Sequence, residues 1–197
     1  MKRSFVALAV AALCVVPMAA QAQQMQDGGL GILGGWSYGQ VPSSNTSGHG
    51  SLSGNSGFAL GIGAESGGTV GFGVNALYAQ RGFRSDLFGN SQQLSYIDVP
   101  VYLRVAIQNP AVEPFALIGP QISFEMNCNA NGTDCPSGRN KTTFDGVAAF
   151  GLRFPMAAGL SVQARYLYAL QNLDYGTVNN QSNYRQRSFM LLLGIGF

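Results

Sequence analysis

At 197 residues the chain has the size of one ordinary domain. Hydrophobic residues at 46% and aromatics at 11% exclude a disordered chain. Charged residues make up only 10%, where about a quarter is usual, which excludes the Lys- and Glu-rich surface of an ordinary cytosolic globule. The formal charge is +2, from 11 basic and 9 acidic residues. Lys2 and Arg3 belong to an N-terminal leader, so the remainder of the chain is neutral and offers no electrostatic footprint for nucleic acid.

The leader comprises residues 1–22: a basic start, an apolar run from Phe5 to Val16 and the small-residue end Ala20-Gln21-Ala22. This is the pattern of a secretory signal peptide with cleavage before Gln23, leaving 23–197 as one domain. The run is shorter than the roughly 20 apolar residues that a transmembrane helix needs, and no later segment supplies them. Cys14 lies inside the run after Leu13, where a lipoprotein site requires a small residue. The two other cysteines, Cys128 and Cys135, bracket a polar stretch with an Asn131-Gly132 turn signal. An even count in an exported protein points to a disulfide. Two thiols without a nearby His make a poor metal site, so neither a metal nor a cofactor is expected.

Beyond the leader, apolar residues recur with period two and no helical period is sustained. The first strand, about 28–39, sets Leu30, Ile32, Trp36 and Tyr38 against Gly31, Gly35 and Ser37. The second, about 57–65, sets Phe58, Leu60 and Ile62 against Ala59, Gly61, Gly63 and Glu65. In the third, about 69–81, Val70, Phe72, Val74 and Tyr78 oppose Gly71, Gly73 and Asn75. The fourth, about 93–107, alternates Ile97, Val99, Val101, Leu103 and Val105 with Tyr96, Asp98, Pro100, Tyr102 and Arg104. The fifth, about 114–126, sets Ile118, Ile122 and Phe124 against Gln121, Ser123 and Glu125, but Phe115 and Leu117 interrupt the pattern. The sixth, about 143–154, sets Phe144, Phe150, Leu152 and Phe154 against Asp145, Ala149, Gly151 and Arg153. The seventh, about 160–170, sets Leu160, Val162, Tyr166 and Tyr168 against Ser161, Gln163 and Arg165. The eighth, about 186–197, carries Phe189, Leu191, Leu193, Ile195 and Phe197 at every second position.

The connections alternate long and short, beginning with a polar stretch at about 40–56 and then only Ser66-Gly67-Gly68. An up-and-down barrel through an outer membrane has this arrangement, with short periplasmic turns and longer external loops. A soluble barrel or a β-sandwich would bury its bulky residues and expose polar ones. Here nearly all the bulk lies on one face, and the other is Gly, Ala, Ser and a few charges. Since an eight-stranded barrel has room inside only for side chains, the small, polar face belongs inside and the bulky face meets lipid. The expected fold is all-β: an eight-stranded antiparallel up-and-down transmembrane β-barrel.

The strand Tyr96-Ile97-Asp98-Val99-Pro100-Val101-Tyr102-Leu103-Arg104 resembles the Y-[LI]-[ED]-[IV]-P-[LV]-x-[LF]-[KR] strand of PorT-like, "porin family" outer-membrane β-barrel domains. Pro114–Gly119 followed by Pro120, the stretch Gly146–Phe154 and the terminal strand agree with it. The resemblance implies a Gram-negative outer-membrane location. It also implies that Phe189, Leu191, Leu193, Ile195 and Phe197 form the C-terminal signal read by the outer-membrane assembly machinery. A barrel does not by itself define an activity.

The inward face is expected to carry Glu65, Asp98, Arg104, Glu125, Asp145, Arg153 and Arg165. Unpaired, such charges would cost several kcal/mol each in a narrow lumen, so a cross-strand network that plugs the interior is expected; a selectivity filter or a proton relay is the functional alternative. Pro100 cannot donate to a ladder and predicts a local break. The single His, His49, lies in a Gly/Ser-rich loop, a poor place for a general base. The carboxylates Glu125 and Asp145 have Arg neighbours that would keep them ionised. No helix follows the Gly-x-Gly runs, so they are not phosphate loops.

The expectation is a non-enzymatic, monomeric barrel with a structural or surface-interaction role, using loops at about 40–56, 127–142 and 171–185. Its expected partners are outer-membrane lipid, the assembly machinery, and extracellular or envelope proteins. A narrow pore for small solutes is the second reading, and a lipid-processing enzyme using His49 is the third.

Overall fold

The computed structural model describes residues 28–40, 52–85, 90–130, 133–134, 141–171 and 186–197. The period-two pattern is realised as β1 (Gly29–Gln40), β2 (Leu52–Glu65), β3 (Val70–Ser85), β4 (Asn90–Ala106) and β5 (Glu113–Ala130). After these come β6 (Thr133–Asp134), β7 (Thr142–Phe154), β8 (Leu160–Ala169) and β9 (Arg187–Ile195). All pairings are antiparallel. The order β4-β3-β2-β1-β9-β8-β7-β5 closes through β4–β5, and β6 is a two-residue strand against the end of β5. The result is a closed eight-stranded barrel, which leaves none of these eight strands as an open edge.

Both ends of the described chain and the short turns 66–69, 107–112 and 155–159 lie at one end of the barrel. The β3–β4–β5 wall reaches further toward the opposite end than apolar alternation suggests. Pairs such as Arg84↔Ser91 and Gln92↔Ala130 extend the ladder into Ser-, Asn- and Gln-rich sequence. A strand that has left hydrocarbon needs its backbone ladder but no longer an apolar face, so the sequence pattern fades before the strand ends. The sequence reading therefore places the starts of β2 and β4 and the ends of β3 and β5 too close to the barrel.

Pro100 and Pro120 interrupt the pairing of this wall. The β3–β4 register passes from Val74↔Val101 to Leu77↔Asp98, and the β4–β5 register from Pro100↔Gln121 to Leu103↔Ile118. Both skips flank a proline, which has no amide hydrogen to donate. The register itself is unchanged across them.

Outward positions such as Ile32, Ile62, Phe72, Ile118 and Phe150 are strongly exposed. The inward face differs from the expected small, polar one. Leu33, Leu77, Leu117, Leu167, Met190 and Leu192 are all buried there, and Phe115 and Leu117 keep the alternation of β5 instead of interrupting it. Inward glycines make the room. A Cβ at Gly61 would lie 2.8 Å from Leu77 Cδ2, and one at Gly151 would lie 2.6 Å from Phe115 Cζ. The lumen is filled by large residues lying over small ones, as an eight-stranded interior requires.

The terminal alternation stops at Ile195. Gly196 has φ of +97°, a region open to glycine, and turns Phe197 back toward the lumen. Its ring occupies the space into which a Cβ at Gly31 would project, with Gly63 and Gly194 beside it.

The β1–β9 ladder that closes the barrel yields a prediction. A Cβ at Gly35 would overlap the Leu191 carbonyl oxygen, whereas one at Gly34 would first meet Leu60 Cδ1 at 3.5 Å. Gly35→Ala should therefore lower stability by about 1–3 kcal/mol, and Gly34→Ala by no more than about 0.5 kcal/mol. Urea unfolding of the two variants in lipid vesicles measures the difference.

Candidate functional site

Among the described residues, the concentration of chemistry is the barrel interior, where alternating positions of six strands bring eight acidic and basic side chains together. Four are carboxylates (Glu65, Asp98, Glu113, Asp145) and four are guanidinium groups (Arg81, Arg104, Arg153, Arg165). Seven of them are buried, and Glu113 is nearly so.

They form two layers. Near the short-turn end, Glu65 takes Arg153 Nη2 at 2.5 Å and Arg104 Nε at 3.6 Å on its Oε2. Glu113 pairs with Arg104 and lies 3.5 Å from Arg153 Nη1. The Arg104 guanidinium also lies 5.2 Å over the Phe115 ring. Two acids and two arginines share this layer, so its charge is balanced locally.

The second layer lies toward the long-loop end. Arg81 pairs with Asp98 and reaches Asp145 Oδ2 at 3.6 Å. Ser123 Oγ donates to the same Asp145 oxygen at 2.8 Å, and Gln121 Nε2 donates to Ser123 Oγ at 3.0 Å. Arg81 further lies 5.0 Å over Tyr96. This layer carries one more acid than base.

Arg165 is the fourth guanidinium, bringing the interior as a whole to four acids and four bases, and it reaches the Glu65 layer through neutral groups. Its Nη2 donates to Gln163 Oε1 at 3.1 Å and to the Asn75 side-chain oxygen at 2.9 Å. The Asn75 amide nitrogen donates to the Tyr102 hydroxyl at 3.0 Å, and Tyr102 donates to Glu65 Oε1 at 2.7 Å. A continuous hydrogen-bonded chain therefore runs from Arg165 into the Glu65 layer. At the short-turn end a cavity of about 500 Å³ leads to this layer, lined by Glu113, Arg153, Gln108, Asn109 and Phe197 among others.

Of the sequence-derived interior set, Glu65, Asp98, Arg104, Asp145, Arg153 and Arg165 lie within these layers. Glu125 does not: it is half-buried above them, beside the irregularity between Ser95 and Tyr96, and its backbone amide donates to the Lys141 carbonyl at 2.7 Å. Two members escaped the sequence reading. Arg81 shares its face with Asn75, Leu77 and Ala79, so parity alone points it inward. Glu113 precedes the expected start of its strand by one residue but lies in phase with Phe115 and Leu117. Phe189, Leu191, Leu193 and Ile195 face outward, while Phe197 turns in. Cys128 is buried; Cys135 and His49 lie outside the described residues, as does the leader. Among the described residues, no three His, Cys, Asp or Glu side chains converge as metal ligands.

Glu65 is the hub of its layer, with Arg104, Arg153 and Tyr102 all directed at it. Removing one partner from a buried ion pair leaves an uncompensated charge. Glu65→Gln should therefore lower the unfolding free energy by about 3–5 kcal/mol, measured by urea unfolding in lipid vesicles. A loss under about 1 kcal/mol would mean that Glu113, the other carboxylate on Arg104 and Arg153, compensates the two arginines without Glu65.

The sequence model of the outer membrane protein β-barrel domain matches residues 5–197. No curated protein sequence matches the chain. Among solved structures, Neisserial surface protein A is similar at 17% identity and a TM-score of 0.51, covering 85% of this chain and 97% of that one. The outer membrane protein OprG from Pseudomonas aeruginosa is similar at 12% identity and a TM-score of 0.51, covering 86% and 95%. The outer membrane enzyme PagL matches at 13% identity and a TM-score of 0.46, covering 86% and 99%. At such identities the likeness speaks for the fold. The chain belongs to the outer membrane protein β-barrel domain family, and its place is the bacterial outer membrane.

Proposed function

We propose that this protein is a non-enzymatic, monomeric barrel whose interior is a stopper and whose long-loop end is a contact surface for extracellular or envelope proteins. The observation that carries this reading is the filled lumen. The two charged layers use their side chains on one another, and Leu33, Leu77, Leu117, Leu167, Met190 and Leu192 occupy the remaining space. Asp145, a candidate acid or base from sequence, is engaged by Arg81 and Ser123. A carboxylate committed to a guanidinium and a hydroxyl is poorly placed to exchange protons with a substrate.

The reading extends to export and assembly, with residues 1–22 removed as a signal peptide and the C-terminal strand read by the assembly machinery. Placement among PorT-like, porin-family barrels rests on the Tyr96–Arg104 strand. A Cys128–Cys135 disulfide is part of the proposal. It rests on the even cysteine count of an exported chain, with Cys128 buried at the end of β5.

A narrow pore is the second reading, favoured by the cavity of about 500 Å³ that leads to Glu113 and Arg153 from the short-turn end. Single-channel recording of residues 23–197 in a planar bilayer separates the two. The stopper predicts no conductance steps, whereas steps altered by Arg104→Ala would put the pore first. For the disulfide, alkylation without reductant should leave Cys128 and Cys135 unmodified, and prior reduction should add two alkyl groups by mass spectrometry.

A further inference from the structure

The outward end of β9 breaks the rule followed by the other described charges of the barrel strands. Glu65, Arg81, Asp98, Arg104, Glu113, Asp145, Arg153 and Arg165 point inward, and Glu125 is half-buried. Arg187 is exposed and continues the outward row of Phe189, Leu191, Leu193 and Ile195. Among the barrel-strand residues whose side chains are described, it is the one outward-facing cation.

Its depth is marked by aromatic rings. One step below Arg187 on the same face is the pair Tyr38↔Phe189. Trp36 stacks on Tyr38 with centroids 5.8 Å apart and meets Phe189 edge-on at 6.3 Å. Such a ring cluster at the end of an apolar wall belongs at the boundary between hydrocarbon and headgroups. Arg187 pairs opposite Gln40 and stands about two strand residues, or roughly 7 Å along the strand, beyond that boundary. This is headgroup depth.

The guanidinium is also oriented. Its central carbon lies 5.8 Å over the Tyr168 ring, an attraction that uses the face of the cation and leaves its N–H edges for an acceptor. A guanidinium edge matches two phosphate oxygens at once.

We propose that Arg187, with Tyr168 beneath it and Gln40 beside it, binds the phosphate headgroup of an anionic lipid of the outer leaflet. The lipid's chains would lie along Phe189, Leu191, Leu193 and Ile195. The unbroken passage from cation to apolar row favours a lipid over a free anion, because one lipid molecule satisfies both parts.

Trp36 is the sole tryptophan of the chain, so its emission reports on this face. The test titrates the folded barrel, in a phosphate-free alkyl glucoside detergent, with didecanoyl phosphatidic acid, didecanoylglycerol and inorganic phosphate in turn. Phosphatidic acid should give a saturable change in Trp36 emission, and Arg187→Gln should weaken its binding about five-fold, the contribution of one basic residue near an anionic surface. Should that variant fail to fold, Gln40→Glu, which sets a carboxylate opposite Arg187, should weaken binding in the same sense. Equal binding of didecanoylglycerol, or unchanged affinity in the folded variant, would overturn the proposal. Inorganic phosphate reproducing the response would overturn the assignment to lipid.

Discussion

A charge that faces the inside of an eight-stranded barrel has to find its counter-charge there. The sheet is closed, hydrocarbon surrounds it, and the lumen has room for side chains but little for bulk water. This requirement connects strands distant in sequence. Glu65 at the end of β2 gathers Arg104 from β4 and Arg153 from β7, while Arg81 on β3 joins Asp98 on β4 to Asp145 on β7. Register depends on the same requirement, since a one-residue slip of any of these strands would turn its charge out into lipid. The ion pairs are therefore better understood as specifying which strands meet, and in which phase, than as a net source of stability.

The barrel was legible in the sequence because lipid imposes a simple rule on every second residue. In β4, where Ile97, Val99, Val101, Leu103 and Val105 alternate with Asp98, Tyr102 and Arg104, the two faces separate without ambiguity. The inner face obeys no comparable rule. A position there holds glycine or leucine according to what the neighbouring strand contributes, and such cross-strand compensation cannot be read along one strand. This is why Phe115 and Leu117 resemble an interruption in sequence, although they pack over the space left by small neighbours such as Gly151. The same limit hid Arg81 and Glu113, whose roles depend on partners 17 and 40 residues away, Asp98 and Arg153. It also hid the inward turn of Phe197, which needs the φ of +97° at Gly196 and a hollow shared by glycines of three strands.

Family membership establishes fold and location, and similar solved barrels agree with the fold, while the individuality of this chain lies in what the barrel carries. Three features stand out in it: balanced charge inside, a proline-interrupted wall at β3–β4–β5, and a single oriented cation on the outer face of the described barrel strands. The first bears on whether the lumen conducts. The third concerns the surrounding lipid and is independent of whether the lumen conducts.

The strands are unequal in length, from 18 residues in β5 to 9 in β9. At about 3.3 Å per residue and a tilt near 40°, this difference corresponds to about 20 Å of height. Among the described residues, the hydrogen-bonded wall therefore stands higher at β3, β4 and β5 than at β8, β9 and β1. Neighbours in a crowded membrane thus meet a tall and a short side of the described wall.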